Sequence, residues 1–160
     1  MVIILMGVTA SGKTTVGRML AVELAYRFYD ADDFHPRANI DKMRRGIALD
    51  DADRRPWLEA LSDLVRRCLT GHTDAVLACS ALKQSYRRSL LIDPQVRLVY
   101  LKADHGLIRQ RLRQRQGHFM NPDLLASQFA TLEEPREALW VDASLDPPEI
   151  VAAVRRQLQI

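Results

Sequence analysis

Residues 7–14 have the types and spacing of a phosphate-binding loop. They are Gly-Val-Thr-Ala-Ser-Gly-Lys-Thr and satisfy the pattern G-x-x-x-x-G-K-S/T. Gly7 and Gly12 let the backbone bend so that successive N–H groups point inward at phosphate oxygens, and the following helix adds a favourable potential. Lys13 would supply a charge to the β- and γ-phosphates, and the Thr14 hydroxyl is placed to ligate Mg²⁺. The predicted ATP-binding residues are Gly7, Val8, Thr9, Ala10, Ser11, Gly12, Lys13, Thr14 and Thr15.

Three aspartates at the end of the second predicted strand are the nearest acids to this loop. They are Asp30, Asp32 and Asp33. A carboxylate at the carboxyl end of a strand can organise the Mg²⁺ shell or accept a proton from an acceptor hydroxyl. We expect Asp30 to contact the metal through water, with Thr14 as the direct ligand. Either Asp32 or Asp33 would face the acceptor.

Arginines on a later predicted helix could cover the transferring phosphoryl group. At about 100° per residue, Arg111 and Arg115 fall together on one flank beside the apolar face of that helix, whereas Arg109 and Arg113 point further into solvent. Gly117 is expected to end the helix. Arg111 and Arg115 are therefore the predicted cationic lid.

Two other classes of phosphate-loop protein are excluded by missing motifs. A switch GTPase should carry D-x-x-G and N-K-x-D, but the chain has no D-x-x-G, and residues 101–104 have Leu where the guanine-reading Asn should be. A motor-type ATPase would usually end a core strand in Asp followed by Glu. The apolar segment 75–79 instead runs into Ser80 and Ala81. A phosphoryl-transfer enzyme remains.

The elements that must position these residues are short apolar strands alternating with amphipathic helices. The predicted strands are residues 2–6, 27–30, 75–79, 96–101 and 138–141. Apolar strands separated by helices imply a parallel sheet covered on both faces. We predict an α/β, three-layer P-loop NTPase fold with a mostly parallel five-stranded sheet and a short helical lid.

Composition indicates one domain and does not favour nucleic acid as a partner. The 160 residues are 48% hydrophobic and 27% charged, which suits a single domain spanning residues 1–160.

The high arginine content is compatible with nucleic-acid binding but supports it weakly. Arginine provides 19 of the 23 basic residues, but the net charge is only +3. A nucleic-acid-binding ATPase is the alternative of another class, and aromatic residues at 6% offer it no stacking platform.

No apolar run approaches the roughly 18 residues of a membrane span, and the start of the chain lacks the features of a signal peptide. We therefore expect a cytoplasmic protein without a membrane partner. Cys68 and Cys79 match no metal-binding spacing and are expected to be buried thiols.

Several blocks from Leu5 to about Pro135, taken in order, resemble the gluconate kinases. The blocks are LMGV at 5–8, DADDFHP at 30–36, NI at 39–40 with Lys42 and Met43, LDDADRRPWL at 49–58, CSALK at 79–83 with YR at 86–87, YLK at 100–102, the lid stretch 111–119, SQF at 127–129, LE at 132–133 and Pro135. Shikimate kinases are similar in size and in the acidic pair, but they match much less after residue 35.

The resemblance implies phosphorylation of D-gluconate on its 6-hydroxyl, with ATP and Mg²⁺, to give 6-phosphogluconate. It also implies an acceptor-binding region at about 31–70, a lid at about 111–130 and a possible homodimer. The residues that it implies around the substrate are Asp32, Arg54, Ser80, Lys83 and Arg87. Kinases of other small acceptors, such as shikimate or adenylylsulfate, are the enzymatic alternative.

Physical reasoning supports part of this substrate site. Ser80 follows a strand at its carboxyl end, where open α/β sheets bind ligands. Lys83 and Arg87 are four residues apart on the next helix and can face one anion together. Arg54 has an alternative as a structural ion pair with Asp50 or Asp51.

The resulting hypothesis assigns catalytic roles to four side chains. Asp32 orients and deprotonates the 6-hydroxyl, while Lys13, Arg111 and Arg115 hold the charge that develops during in-line transfer. His35 is expected as a packed turn residue and Trp57 as a core residue.

Overall fold

The computed structural model describes residues 1–115 and 122–160, and in this part of the chain it has five strands and seven α-helices. The prediction for Gly117 and residues 116–121 of the predicted lid lie outside the described residues. A short 3-10 turn covers Ala31–Phe34. The elements are β1 Val2–Met6, α1 Lys13–Leu24, β2 Arg27–Asp30, α2 Arg37–Arg44, α3 Asp51–Thr70, β3 Ala75–Ala78, α4 Gln84–Leu90, β4 Val96–Lys102, α5 His105–Gln114, α6 Pro122–Thr131, β5 Leu139–Asp142 and α7 Pro147–Leu158.

The five strands form one parallel sheet in the order β2-β3-β1-β4-β5. The central strand β1 pairs with β3 through Leu5 and Ala78 and with β4 through Leu5 and Val99. Because all strands run the same way, their carboxyl ends meet at one edge of the sheet, where the phosphate loop, the 3-10 turn and the β3–α4 loop also begin. The predicted fold class is confirmed.

The core has two parts, one on each face of the sheet. Side chains of a strand alternate between faces, so Ile3 and Leu5 pack with α1, α5 and α7, whereas Val2, Ile4 and Met6 pack with α3 and α4. All five residues of β1 are buried. Burial on both faces explains why this strand is apolar throughout.

Helix α3 holds the 3-10 turn and α2 in place. Asp50 and Asp53 form a reciprocal capping box at its start, and both Asp53 carboxylate oxygens accept hydrogen bonds from Lys42 Nζ at 2.8 Å. Trp57 Nε1 donates to the Ala31 carbonyl at 2.7 Å. These contacts fix the turn that carries the acidic residues.

Both cysteines are buried and free, as the sequence predicts. None of the helices in the described ranges is long and apolar enough to cross a membrane.

Candidate active site

The phosphate loop closes tightly between β1 and α1. Gly7 and Gly12 have φ angles of +153° and +99°, which side chains other than hydrogen rarely allow. A Cβ atom on Gly7 would lie 2.8 Å from Ser11 Oγ and 2.9 Å from the Leu101 carbonyl oxygen. A side chain at Gly7 would therefore collide with Ser11 and the end of β4, so this conformation of the loop requires glycine there.

Lys13 folds back over this loop. Its Nζ donates to the Val8 carbonyl at 2.7 Å. Burial lowers the pKa of Lys13, and the carboxylates of Asp32 and Asp30 partly oppose that shift. The ammonium group thus sits between the loop and the acidic turn, where it can meet an anionic phosphate.

Asp30 links the phosphate loop to the 3-10 turn. Its Oδ2 accepts a hydrogen bond from Thr14 Oγ1 at 2.7 Å, and its Oδ1 accepts one from the Asp32 backbone N–H at 3.1 Å. Residues 1–115 and 122–160 contain no group of three or more His, Cys, Asp or Glu that could hold a metal alone. A hydroxyl beside a carboxylate fits Mg²⁺, which usually keeps several waters and takes other ligands from phosphates.

Asp32 lines a cavity of about 440 Å³ that runs from the phosphate loop toward α3. Desolvation of the carboxyl group in this recess, with the neighbouring Asp30 charge, raises the pKa of Asp32, although Lys13 opposes the shift and part of the residue stays exposed to solvent. A carboxylate with a raised pKa is a better proton acceptor than an ordinary aspartate. Asp33 is not among the residues that line the cavity.

The far wall of the cavity carries an aromatic stack. His35 lies face to face on Trp57 with ring centroids 4.6 Å apart, and both residues line the cavity. Burial, with the nearby Arg54 charge, lowers the pKa of His35 to about 4. The imidazole is therefore neutral near pH 7. The prediction of a packed residue is confirmed, and the structure adds a place in the cavity wall.

Arg54 is the cation at this far end. The cavity is lined by three described cations, of which Lys13 lies at the phosphate loop and Arg115 on the lid side. Arg54 Nη1 donates to Tyr86 Oη at 3.1 Å, and its guanidinium carbon lies 5.5 Å from the ring centroid of Tyr86. Within the described ranges Arg54 forms no ion pair with Asp50 or Asp51, so the structural alternative is not seen.

The other two predicted substrate cations lie elsewhere. Lys83 Nζ pairs with Asp51 at 2.9 Å. The buried Arg87 donates to the carbonyls of Ala81 and Leu82 at 3.0 Å each and to Glu137 at 3.2 Å.

The structure therefore does not direct Lys83 and Arg87 toward one common anion, because each forms an ion pair with a different carboxylate of the protein. Neither residue lines the cavity, whereas Ser80 does.

The two predicted lid arginines occupy different places. Arg111 donates to the carbonyls of Ala10, at 3.1 Å, and Ala143. It ties α5 to the phosphate loop and to the residues after β5. Arg115, just after α5, is exposed and lines the cavity.

Sequence reasoning did not assign a role to Gln128. This residue of α6 lines the cavity, and its Oε1 accepts a hydrogen bond from the Thr9 backbone N–H at 2.7 Å. The available signal was its place in the SQF block at 127–129, but no spacing rule connects that block with the phosphate loop. Ser127 lines the cavity beside it.

Comparisons with known proteins agree with this geometry. A family model described as an AAA domain matches residues 2–139. The chain is 43% identical over 181 residues to a probable gluconokinase of Mus musculus, covering 99% of this chain and 97% of that protein. It is 46% identical over 161 residues to a gluconokinase of Gluconobacter oxydans, covering 98% and 90%. The crystal structure of a gluconokinase from Sinorhizobium meliloti 1021 superposes with a TM-score of 0.87 at 38% identity, over 98% of this chain and 93% of that one. The chain therefore belongs to the gluconokinase family.

Proposed function

We propose that this protein transfers the γ-phosphoryl group of ATP to the 6-hydroxyl of D-gluconate. The observation that carries the proposal is one cavity that joins a phosphate loop to a polar recess ending in a cation. Lys13 lines the cavity at the phosphate loop, Arg54 lines it from the first turn of α3, and Asp32 lines it from the turn after β2. The family membership supports the same reaction.

The shape of gluconate suits this distribution of charge. The substrate is a six-carbon chain with a carboxylate at one end and the reacting hydroxyl at the other. Arg54 is the group proposed to bind the carboxylate, since a guanidinium can donate two parallel hydrogen bonds to it. Ser80 and His35 are available for the hydroxyl groups between the ends.

At the reacting end, Asp32 orients the 6-hydroxyl and accepts its proton. Lys13 and Arg115 stabilise the negative charge on the transferring group. Arg111 adds positive charge from α5, where it donates a hydrogen bond to the Ala10 carbonyl of the phosphate loop. Thr14 and Asp30 are the residues that would hold Mg²⁺, Asp30 through water. When bound, Mg²⁺ neutralises charge on the β- and γ-phosphates.

In this proposal Lys83 and Arg87 do not contact the substrate. Arg87 joins the β3–α4 loop to Glu137 and so holds Ser80 at the cavity, while Lys83 holds Asp51 by an ion pair. We further propose that the protein acts in the cytoplasm without nucleic acid as a partner. A homodimer is its proposed assembly.

A steady-state assay with ATP, Mg²⁺ and D-gluconate, following both ADP release and 6-phosphogluconate, tests the function. We expect gluconate to be the best acceptor in a panel that includes shikimate, adenylylsulfate and glucose. Turnover of shikimate or adenylylsulfate at a kcat/KM equal to that of gluconate would contradict the proposal.

Substitution of Arg54 tests the carboxylate assignment. Arg54→Ala should raise the KM for gluconate by about 100-fold, the scale expected when a charged hydrogen-bonding partner is removed. Arg55→Ala is the matched control, because Arg55 is the adjacent, exposed arginine and does not line the cavity. Equal effects of the two substitutions would remove Arg54 from the site.

A further inference from the structure

Tyr86 is a buried aromatic residue that lies between two cationic side chains and has no role in the proposed phosphoryl transfer. It lies on α4 with 5% of its surface exposed. Arg54 Cζ lies 5.5 Å and Lys83 Nζ 5.6 Å from its ring centroid. Both distances are in the range of cation–π attraction. The ring therefore lies against the cation proposed to bind the substrate carboxylate.

The hydroxyl group of Tyr86 completes a chain of hydrogen bonds that ends at Arg54. It donates to Asp51 Oδ1, which also accepts from Lys83 Nζ at 2.9 Å. Its oxygen accepts from Arg54 Nη1 at 3.1 Å. The hydrogen bonds from Tyr86 and Lys83 lower the pKa of Asp51, and burial with the bond to Asp51 raises the pKa of Tyr86. The carboxylate and the phenol thus keep these hydrogen-bonding roles at neutral pH.

This chain reaches Arg54 from outside the cavity. Arg54 lines the cavity, but Tyr86, Asp51 and Lys83 do not. Asp51 and Tyr86 instead line a separate groove between α3 and α4. Since none of the three lines the cavity, we expect their effect on the acceptor to pass through Arg54.

Holding Arg54 in one orientation has a physical consequence for binding. A free arginine side chain loses about 2 kcal/mol of rotamer entropy when it is fixed. A guanidinium has five N–H donors, and Tyr86 uses one of them, which leaves the others for a ligand. Fixing the side chain before the substrate arrives reduces the entropy lost on binding.

We infer that Tyr86, anchored by Asp51 and Lys83, is a positioning residue that aims the Arg54 guanidinium at the acceptor carboxylate and so sets the preference for an acidic acceptor. This inference rests on the proposed function, because it requires the carboxylate to lie at Arg54. It extends that function from the residue that binds the charge to the residues that prepare it.

Tyr86→Phe tests the inference because it removes the hydroxyl and keeps the ring. Asp51 retains its ion pair with Lys83, so its carboxylate keeps a partner, whereas Arg54 loses the hydrogen bond that the inference concerns. We expect the KM for gluconate to rise about tenfold, as for loss of a hydrogen bond to a charged group. The kcat should stay within about twofold, and the KM for ATP should not change.

Tyr100→Phe is the matched control. Tyr100 is also buried, and its hydroxyl donates to Glu134 at 3.3 Å, outside the cavity. This variant should leave the KM for gluconate unchanged. If both tyrosine variants lower the melting temperature and change all kinetic constants alike, Tyr86 is merely structural and the inference is overturned.

A charge-specific readout separates positioning from general damage. Competition against gluconate with a neutral six-carbon polyol should give the same inhibition constant in the wild-type protein and in Tyr86→Phe. Only the charged acceptor should lose affinity, again by about tenfold. Equal loss for the neutral polyol would overturn the inference.

Arg54→Ala distinguishes failure of the inference from failure of the proposed function. If Arg54→Ala raises the KM for gluconate and Tyr86→Phe does not, the carboxylate lies at Arg54 but Tyr86 does not position it. If neither substitution changes that KM, the proposed site for the carboxylate fails as well. In Tyr86→Phe/Arg54→Ala, the tyrosine substitution should add no further change in KM.

Discussion

Asp32 is the residue whose environment best matches a catalytic role. It lies in the cavity wall beside Asp30 and Lys13, and the net effect of that environment is a raised pKa. If its carboxylate must be unprotonated to accept a proton, kcat/KM should fall as the pH decreases through this raised pKa. The acidic limb of the pH profile should therefore lie above the ordinary aspartate pKa of 3.8.

Asp32→Asn should remove that limb and lower kcat by about 10²- to 10⁴-fold, the usual contribution of general base catalysis. Measurement of kcat/KM from pH 4 to pH 9 checks this. Asp33→Asn serves as the comparison, because Asp33 follows Asp32 in the chain but does not line the cavity. A large loss confined to Asp33→Asn would move the base to that residue.

His35 should make the stability of the folded protein depend on pH. Its pKa is lowered from 6.5 to about 4, so between these values the unfolded chain binds a proton that the folded chain does not. The free energy of unfolding should therefore fall as the pH is lowered from 6.5 toward 4, by on the order of 2 kcal/mol.

His35→Phe keeps a ring against Trp57 and removes the titrating group, so its stability should depend less on pH over this range. Urea unfolding at pH 7.5, 6 and 5 measures the slope. His72→Asn is the control because His72 is exposed, and it should keep the wild-type slope. A wild-type slope in His35→Phe would contradict the prediction.

Among the elements, α6 depends on a contact that local sequence patterns do not reveal. Gln128 Oε1 accepts the Thr9 N–H at 2.7 Å, while Phe129 stacks on His105 with centroids 3.7 Å apart and Leu125 is buried. Gln128 thus connects α6 directly to the phosphate loop. A neutral hydrogen bond of this kind contributes about 1 kcal/mol.

Gln128→Ala should therefore increase the rate of amide hydrogen exchange in α6 about fivefold in the unliganded protein, with little change in α7. Exchange measured by mass spectrometry on peptides from the two helices checks this. Gln157→Ala is the control, since its side chain bonds to the Trp140 carbonyl at 3.3 Å and is exposed. Unchanged exchange in α6 would show that apolar packing alone holds it.

Element positions were largely predictable because local patterns determine them. The buried strand β1 was predicted with its observed bounds, since a central strand of a parallel sheet must be apolar on both faces. The local signals that bound helix α2, at Arg37–Arg44, are Pro36, which is its N-cap, and Gly46, which has a φ of +73° beyond its end.

At the scale of the whole molecule, residue spacing along the helices did not predict where the long cationic side chains point. Helical periodicity placed Lys83 and Arg87 on one flank, but Asp51 on α3 and Glu137 after α6 each hold one of them. These partners are 32 and 50 residues away in the chain. Arg54 was predicted at the substrate from a resemblance, and only the packing of α3 against α4 shows how it is held.

The cavity spans elements from both halves of the sheet, so each ligand should stabilise the whole domain. A ligand at 100 times its Kd adds about 2.7 kcal/mol to the free energy of unfolding. For a domain of this size that corresponds to an increase in Tm of about 5–10 °C. Thermal unfolding with a non-hydrolysable ATP analogue and Mg²⁺, with gluconate, and with both should show each shift.

The two ends of the cavity should respond separately to substitution. Lys13→Ala should abolish most of the shift caused by the nucleotide analogue, because it removes the partly buried charge at the phosphate loop. Arg54→Ala should abolish the gluconate shift and keep the nucleotide shift, because Arg54 lines the cavity from α3 and not from the phosphate loop. If gluconate still raises the Tm of Arg54→Ala by the full amount, the acceptor carboxylate does not bind at Arg54. The proposed arrangement of the two substrates in the cavity would then be wrong.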